Sequence, residues 1–423
     1  PLSGPQARLL EHTLRDYRRK GLELPAAGQA RLRALNEEIT KLSQDFETNI
    51  AESTLFLEVT PKQLEGLPPS HVDTHKPGPD GKIKISTDYP DYFPFLQYAK
   101  DRAAALELYK LFDNRAAEKN VPILEKLLAL RTEKAKLLGY ATWADYVLEP
   151  RMAKTSKAVA DFLEGLRVHL AKKGAAEMKE FVAMRAKLGE KGDAASIPPS
   201  DRLYLEDQVR KAKYGLDSKE VSKYFEVSRV KQGILDITSK LFGIKYRPVT
   251  AGATTWHPDV ETMEVLDASG KVIGRFYFDL YPRPDKYKHA AVFGIRETRK
   301  MEDGSRLLPI GAIVCNFPKP DGKSPALLGH SEVTTFFHEV GHVLHHLLSE
   351  SDLASFAGTA VARDFVEAPS QMLEEWAWSK ETLDLFARHH ETGKPLPPAL
   401  FEAMQRSRGF GRALATQRQL FLA

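Results

Sequence analysis

Apolar residues recur at steps of three and four through most of the chain, which is the period of an amphipathic helix. The step is regular within residues 28–53, where it is carried by Leu32, Leu35, Ile39, Leu42 and Phe46. The same period returns over four further stretches, residues 6–20, 92–148, 155–187 and 201–243. The pattern predicts long helices, interrupted at residues 60–82, where repeated Pro and Gly predict a loop.

The period changes to two in the second half of the chain. Val260–Asp267 and Val272–Leu280 flank a turn with Ser and Gly and predict a β-hairpin, and Leu308–Asn316 predicts a third strand. The helical period then returns and continues to the end of the chain. We therefore predict a mostly α fold with one small β-sheet, divided into a mainly helical region 1–240 and a region 241–423 that holds the sheet and the richest motif.

Composition narrows the possible classes of function. The chain has 423 residues, of which 42% are apolar and 28% are charged, as in ordinary globular proteins. Its net charge of +4 is too small for the basic footprint of a nucleic-acid-binding protein. No apolar run reaches the roughly 18 residues of a membrane helix. Cys315 is the single cysteine, so any metal must be bound by His, Asp or Glu.

The strongest motif is His338-Glu339-Val340-Gly341-His342, an H-E-x-x-H sequence. On a helix the two histidines lie about 40° apart around the axis, so both imidazoles reach one ion. Glu339 lies about 100° away, where it contacts a water at the metal without being a ligand. Gly341 lies on the histidine side, and because glycine in a helix interior costs about 1 kcal/mol relative to alanine, we expect another group to approach there.

The predicted helix has two separate faces. An apolar face is formed by Phe336, Val340, Val343 and Leu347. His338, His342 and His345 lie about half a turn away. A histidine that only fills the core would lie on the apolar face, so the histidine face predicts a metal site.

A catalytic zinc ion takes three protein ligands and keeps one position for water, so a third ligand must come from elsewhere. The downstream candidates are His345, His346, Glu350, Glu367, Glu374 and Glu375. His346 would leave Glu339 off the shared face, and Glu350 lies about two turns further along the same helix, too far to complete a tetrahedron. Glu367 lies in a second predicted helix, from about Asp364 to Phe386. We therefore predict that Glu367 joins His338 and His342 around one zinc ion.

Two segments closely resemble the thimet oligopeptidase family of zinc metallopeptidases, the group that includes neurolysin and oligopeptidase A. They are Phe337–His345, which contains the motif, and Arg363–Glu374, which contains Glu367. Tyr277–Arg283 and Met152–Thr155 are also similar to family segments, so the resemblance covers essentially the whole chain.

The resemblance implies a helical, channel-type zincin of the gluzincin kind, with residues 1–240 as the channel wall and residues 241–423 as the catalytic zinc region. It implies one Zn²⁺ on the three predicted ligands, with Glu339 as the general base. Such a channel admits short unfolded peptides and excludes folded proteins. We expect a monomer, with neither nucleic acid nor membrane as a partner.

Departures from the family pattern bear on the expected activity. The family's zinc helix usually carries Phe where this chain has Val340. Family members continue beyond the point matching Ala423 with a Gly-rich loop whose His and Tyr residues stabilise the oxyanion, and they carry a helical portion before Pro1. We therefore expect a fragment that lacks both ends, binds zinc and hydrolyses peptides poorly.

Some roles stay open. A metal-bound histidine donates its other N–H to an acceptor; Glu374 is the first candidate and Asp364 the second, although both are equally consistent with solvated helix charges. The strand at Ile310–Asn316 either hydrogen-bonds an extended peptide or is an ordinary buried strand.

The leading functional hypothesis is a zinc endopeptidase acting on oligopeptides. A carboxydipeptidase would use the same chemistry, and the alternative from another class is a non-catalytic peptide-binding protein that kept the fold and lost turnover. A single cysteine and the lack of a recognisable signal peptide favour the cytoplasm.

Overall fold

The computed structural model describes residues 2–190, 197–250, 252, 254–320 and 325–423. The chain divides into two compact units. One unit comprises Pro1–Leu57 and Glu107–Val168, and the other comprises Glu58–Leu106 and His169–Ala423. The boundary between the predicted regions 1–240 and 241–423 stays a prediction.

Helices make up most of the described chain, as predicted. In order they are α1 (Gly4–Arg19), α2 (Ala26–Ala51), α3 (Pro69–Thr74), α4 (Tyr89–Tyr98), α5 (Arg102–Asp113), α6 (Ala117–Leu137), α7 (Trp143–Leu148), α8 (Ser156–Lys187), α9 (Arg202–Val209), α10 (Ser218–Ser222), α11 (Val227–Phe242), α12 (His330–Leu347), α13 (Glu367–Glu374), α14 (Lys380–Phe386), α15 (Pro398–Ser407) and α16 (Arg412–Leu422). The predicted loop at residues 60–82 contains α3 instead. This helix begins at Pro69, a residue suited to a first turn because its missing N–H needs no partner there. None of the described helices is long and apolar enough to span a bilayer.

Short strands complete the fold. They are β1 (Phe56–Val59), β2 (Ile83–Ser86), β3 (Lys245–Pro248), β4 (Glu261–Leu266), β5 (Val272–Asp279), β6 (Ala291–Arg296), β7 (Arg299–Lys300), β8 (Arg306–Leu307) and β9 (Ile310–Val314). Five of them form one sheet in the order β3-β4-β5-β9-β6, in which β5 and β9 are parallel and the other pairs antiparallel. β4 and β5 are the predicted hairpin and β9 is the predicted third strand. β3 and β6 were not predicted, because Pro248 and Gly294 break the alternation that marks a strand.

β9 lies inside this sheet. Its residue Ile313 is opposite Phe278 on one side and Val292 on the other. Of the two interpretations of Ile310–Asn316, the buried strand is therefore correct, because the strand's backbone groups are already paired. The edge of the sheet on this side is β6, which has no further strand beyond it within the described residues.

Helix α12 packs its apolar side against the sheet. The predicted core residues of α12 are all buried, namely Phe336, Val340, Val343 and Leu347. Two glycines let the helix come close: a Cβ on Gly274 would lie 3.2 Å from Leu347 Cδ2, and one on Gly311 would lie 3.2 Å from Val343 Cγ2. The fold is therefore mostly α with a small sheet next to the helix that carries the motif, as predicted.

Candidate metal centre

The two motif histidines lie side by side on α12, on the side away from the sheet. The ring centroids of His338 and His342 are 4.7 Å apart, and the ring planes are almost perpendicular, at 84°. Both side chains are largely but not fully buried, with 22% and 12% of their surface exposed. The pKa of His342 is lowered, mainly by burial, which favours the neutral imidazole that binds a metal.

Helix α13 crosses α12 at Gly341. A Cβ at this position would lie 2.7 Å from Cα of Ser370 and 3.2 Å from the carbonyl oxygen of Pro369. The group that the sequence led us to expect beside Gly341 is therefore the backbone of α13. Because Glu367 is the first residue of α13, this close approach sets the distance between its carboxylate and the histidines.

The structure brings Glu367 and both histidines together around one point. Oε2 of Glu367 lies 3.2 Å from Nε2 of His338 and 3.0 Å from Nε2 of His342. Ser370, one turn later in α13, donates its hydroxyl to the same carboxylate oxygen at 3.0 Å. Ser370 was not among the predicted site residues, although its position three residues after Glu367 on a helix is a signal that could have identified it.

These atoms fit a divalent transition metal. An ion with bonds of about 2.0–2.1 Å in tetrahedral geometry separates its ligand atoms by about 3.3–3.4 Å, close to the observed distances. Nδ1 of His338 lies 2.8 Å from Oε1 of Glu374, and a carboxylate only accepts, so this nitrogen carries the proton. In the tautomer with its proton on Nδ1, the lone pair of Nε2 faces an oxygen of Glu367. Two lone pairs repel each other, and a cation between them makes the contact favourable.

Glu339 lies beside this group and does not join it. Its side chain is buried, with 4% of the residue exposed, and Oε2 has no hydrogen-bond partner among the described residues. Burial is the main cause that raises the pKa of Glu339 to about 7. A buried, unpaired carboxyl group next to metal ligands is suited to take up and release a proton near neutral pH.

The sequence matches a known protein family over most of its length. The family model described as peptidase family M3 matches residues 95–423. The chain belongs to peptidase family M3. The resemblance to the thimet oligopeptidase group is thus confirmed, and the mostly α fold is consistent with an M3 peptidase.

Similar proteins from distant organisms match nearly the whole chain. Saccharolysin of Saccharomyces cerevisiae is 34% identical over 97% of this chain and 60% of its own length. The thimet-like oligopeptidase of Dictyostelium discoideum is 33% identical over 100% of the chain and 64% of its own length. Oligopeptidase A of Escherichia coli is 30% identical over 99% of the chain and 63% of its own length. The chain therefore spans less than two thirds of the length of these M3 relatives.

The remaining candidate residues lie in different places. Glu374 contacts His338, whereas Asp364 is exposed in the turn before α13 and is not a member of the metal-binding group. His346 is buried and directs Nε2 to the backbone oxygens of Arg296 and Ile310, both at 3.1 Å. It therefore ties α12 to strands β6 and β9 of the M3 fold and points away from the other two histidines.

Proposed function

We propose that this M3 protein is a zinc-dependent peptidase that hydrolyses short, unstructured oligopeptides. The observation that carries the proposal is the single oxygen of Glu367 facing the Nε2 atoms of His338 and His342, with the buried carboxyl group of Glu339 beside them. Two histidines and one glutamate, with a fourth position left for water, are protein ligands typical of catalytic zinc in peptidases. Two of the three relatives described above are named oligopeptidases, which supports the same class of substrate.

When bound, zinc lowers the pKa of a water molecule and polarises the scissile carbonyl. Glu339 takes a proton from the attacking water as the new carbon–oxygen bond forms, and it delivers this proton to the leaving nitrogen as the carbon–nitrogen bond breaks. The pKa of about 7 allows the carboxyl group to both accept and release that proton. Burial of Glu339 keeps bulk water from supplying or removing it.

Glu374 and Ser370 hold the ligands in place. Glu374 accepts the Nδ1 proton of His338, which fixes the ring and leaves Nε2 available. Ser370 donates to the carboxylate of Glu367 and restricts its rotation. Asp364, the second candidate for such a role, is exposed in the turn before α13, and its role stays a prediction.

Strand β6 is our candidate for the part of the protein that pairs with the peptide backbone. It is the outer strand of the sheet, and its residues Phe293 and Ile295 are exposed. An extended peptide can add to such an edge through backbone hydrogen bonds, independently of its side chains. This mode suits an enzyme that acts on many short, unfolded sequences.

The decisive experiment measures cleavage of a short internally quenched peptide by the purified protein, together with its zinc content. Glu339→Gln removes the proton acceptor, and Glu332→Gln, on the same helix, is a control outside the metal-binding group. Zinc-dependent cleavage that is lost only in the Glu339 variant supports the peptidase. Bound zinc without cleavage would favour the peptide-binding protein, and absence of zinc binding would refute the peptidase.

Cellular setting and assembly are further parts of the proposal. We propose a monomer that works in the cytoplasm without nucleic acid or membrane partners. The small net charge of +4 supports the lack of a nucleic-acid partner, and a relative named as a probable cytosolic oligopeptidase A is 32% identical. A relative named as an organellar oligopeptidase A is also 32% identical, so fractionation of cells that express the protein is the test.

A further inference from the structure

A second group of potential metal ligands lies where α3 ends and α4 begins. His71 is in α3, His75 directly follows α3, and Asp91 is in the first turn of α4. One nitrogen of each histidine and one oxygen of the aspartate lie within 4.8 Å of one another. All three residues belong to the unit that contains Glu58–Leu106.

His75 presents one ring nitrogen to the group. Its Nδ1 lies 2.7 Å from the carbonyl oxygen of His71, and because a carbonyl only accepts, Nδ1 carries a proton. The other nitrogen, Nε2, lies 3.1 Å from Oδ1 of Asp91. A backbone carbonyl that fixes the outer nitrogen of a histidine is the usual arrangement at metal sites.

Asp91 is held by the end of strand β2. Its second oxygen, Oδ2, accepts hydrogen bonds from the backbone N–H of Ser86 at 3.0 Å and from the hydroxyl of Ser86 at 2.5 Å. Both donors bind the same oxygen, so Oδ1 keeps its lone pairs for the histidine side. The carboxylate is therefore oriented before any ion binds.

An ion pair between His75 and Asp91 does not explain the surroundings of His71. Its Nε2 is buried and has no hydrogen-bond partner among the described residues, and its ring stacks on that of His75 with centroids 4.3 Å apart. A buried polar atom without a partner destabilises the fold, and a bound metal ion would supply that partner.

We propose that His71, His75 and Asp91 bind a divalent transition metal ion that links α3 to α4. The 3.1 Å between Nε2 of His75 and Oδ1 of Asp91 is close to the ligand separation of about 3.3 Å around a tetrahedral ion. Two nitrogens and one oxygen suit zinc, cobalt or nickel, whereas calcium and magnesium prefer oxygen ligands. The bound ion would hold residues 75–91 in place. This stretch otherwise contains only the short strand β2 and the first turn of α4.

A third cluster that contains histidines differs from the proposed site, because one of its ring nitrogens already has hydrogen-bond partners. His389, His390 and Glu391 also lie close together, with Glu391 exposed. Nδ1 of His389 already accepts the backbone N–H groups of Glu391 and Thr392, at 3.3 and 3.4 Å. This nitrogen is thus used by the local turn, and we propose no metal there.

The test counts metal ions in the full chain. Protein equilibrated with Zn²⁺ and freed of excess by gel filtration is analysed by elemental mass spectrometry. We expect two equivalents in the wild type, one in His342→Ala, one in His75→Gln, and none in the double variant. His169→Ala, which removes an exposed histidine from α8, should keep both.

Further variants distinguish loss of the metal site from loss of folding. Asp91→Asn preserves size and can still accept from Ser86, so normal circular dichroism together with loss of one equivalent supports the site. Co²⁺ added to His342→Ala should show the visible absorption of a four-coordinate ion, and His71→Ala in that background should abolish it. A single equivalent in the wild type that His342→Ala removes, or two in a folded Asp91→Asn protein, overturns the proposal without affecting the peptidase proposal.

Discussion

Glu374 on α13 fixes the orientation of His338 on α12. Oε1 of the glutamate lies 2.8 Å from Nδ1 of the histidine, while Nε2 of the same ring faces Glu367 at 3.2 Å. The carboxylate thereby selects the tautomer whose Nε2 lone pair is available to a metal. One helix thus supplies both a proposed ligand, Glu367, and the group that orients another.

Replacing Glu374 by glutamine should weaken zinc binding. An amide can donate as well as accept, so the variant no longer enforces a proton on Nδ1 of His338. We expect the affinity for zinc to fall by about 10–100-fold, measured by competition with a chromogenic chelator. Glu375→Gln is the control, since Glu375 forms an ion pair with Arg408 instead, and equal affinities in the two variants would contradict the role of Glu374.

Replacing Gly341 by alanine should push α12 and α13 apart. The added Cβ would lie 2.7 Å from Cα of Ser370, and a backbone atom has no side-chain freedom with which to move away. We expect a loss of about 1–3 kcal/mol in the free energy of unfolding, and weaker zinc binding, despite the better helix propensity of alanine. Chemical denaturation with and without zinc measures both effects.

The matched control for that experiment is Gly165→Ala in α8. A Cβ at Gly165 has nothing within 4 Å, so only helix propensity changes and the free energy of unfolding should rise by about 0.5–1 kcal/mol. Equal stabilisation by both alanines would show that α12 and α13 tolerate a wider separation.

Local periodicity was sufficient to predict the motif helix correctly. The apolar face of α12 could be read from Phe336 and Val340, because the side of a helix that is buried depends on spacing within that helix. Gly341 on the opposite face pointed to a close approach, which α13 makes. Bringing Glu367 to the two histidines needed a tertiary contact, and the prediction rested on chain separation and on the family resemblance.

Other features depend on contacts that no local pattern records. β6 is an edge strand with Gly294 in its middle, and it exists because β9 pairs with it. α3 is short and lies in a stretch rich in Pro and Gly, so the sequence predicted a loop. The His71 and His75 pair has helical spacing, but its partner Asp91 is reached only through the turn between β2 and α4.

His346 should prove to be structural, although it follows His342 by four residues. Its Nε2 contacts two backbone oxygens, and the residue is 1% exposed. His346→Ala should therefore lower the free energy of unfolding by about 1–3 kcal/mol while zinc binding at the His338 and His342 site persists. The measurements are denaturant unfolding and zinc content.

Glu367→Gln should have the opposite effects on these two measurements. It should lose the zinc bound at the His338 and His342 site, with little change in the stability of the metal-free protein.

Asp279 should make the stability of the fold sensitive to acid. Burial by itself would raise the pKa of its carboxyl group, but hydrogen bonds from Arg283, Trp256 and Lys286 lower it to about 2. Lys286 is also buried, and its ammonium lies 2.9 Å from Oδ1 of Asp279. Asp279→Asn removes the charge that balances these cations and should cost about 3–5 kcal/mol at neutral pH.

The pH dependence of the free energy of unfolding distinguishes the effect of the Asp279 charge from the effect of lost packing. The folded pKa lies below the ordinary value of 3.8, so the carboxylate of Asp279 stabilises the fold above pH 4 and loses its effect as the pH falls towards 2. The difference in free energy of unfolding between wild type and Asp279→Asn should therefore be constant above about pH 5 and shrink below it. Asp161→Asn, in an exposed pair with Lys157, should run parallel to wild type throughout. A difference for Asp279→Asn that stays constant down to pH 2 would mean that the charge contributes nothing and that only packing was lost.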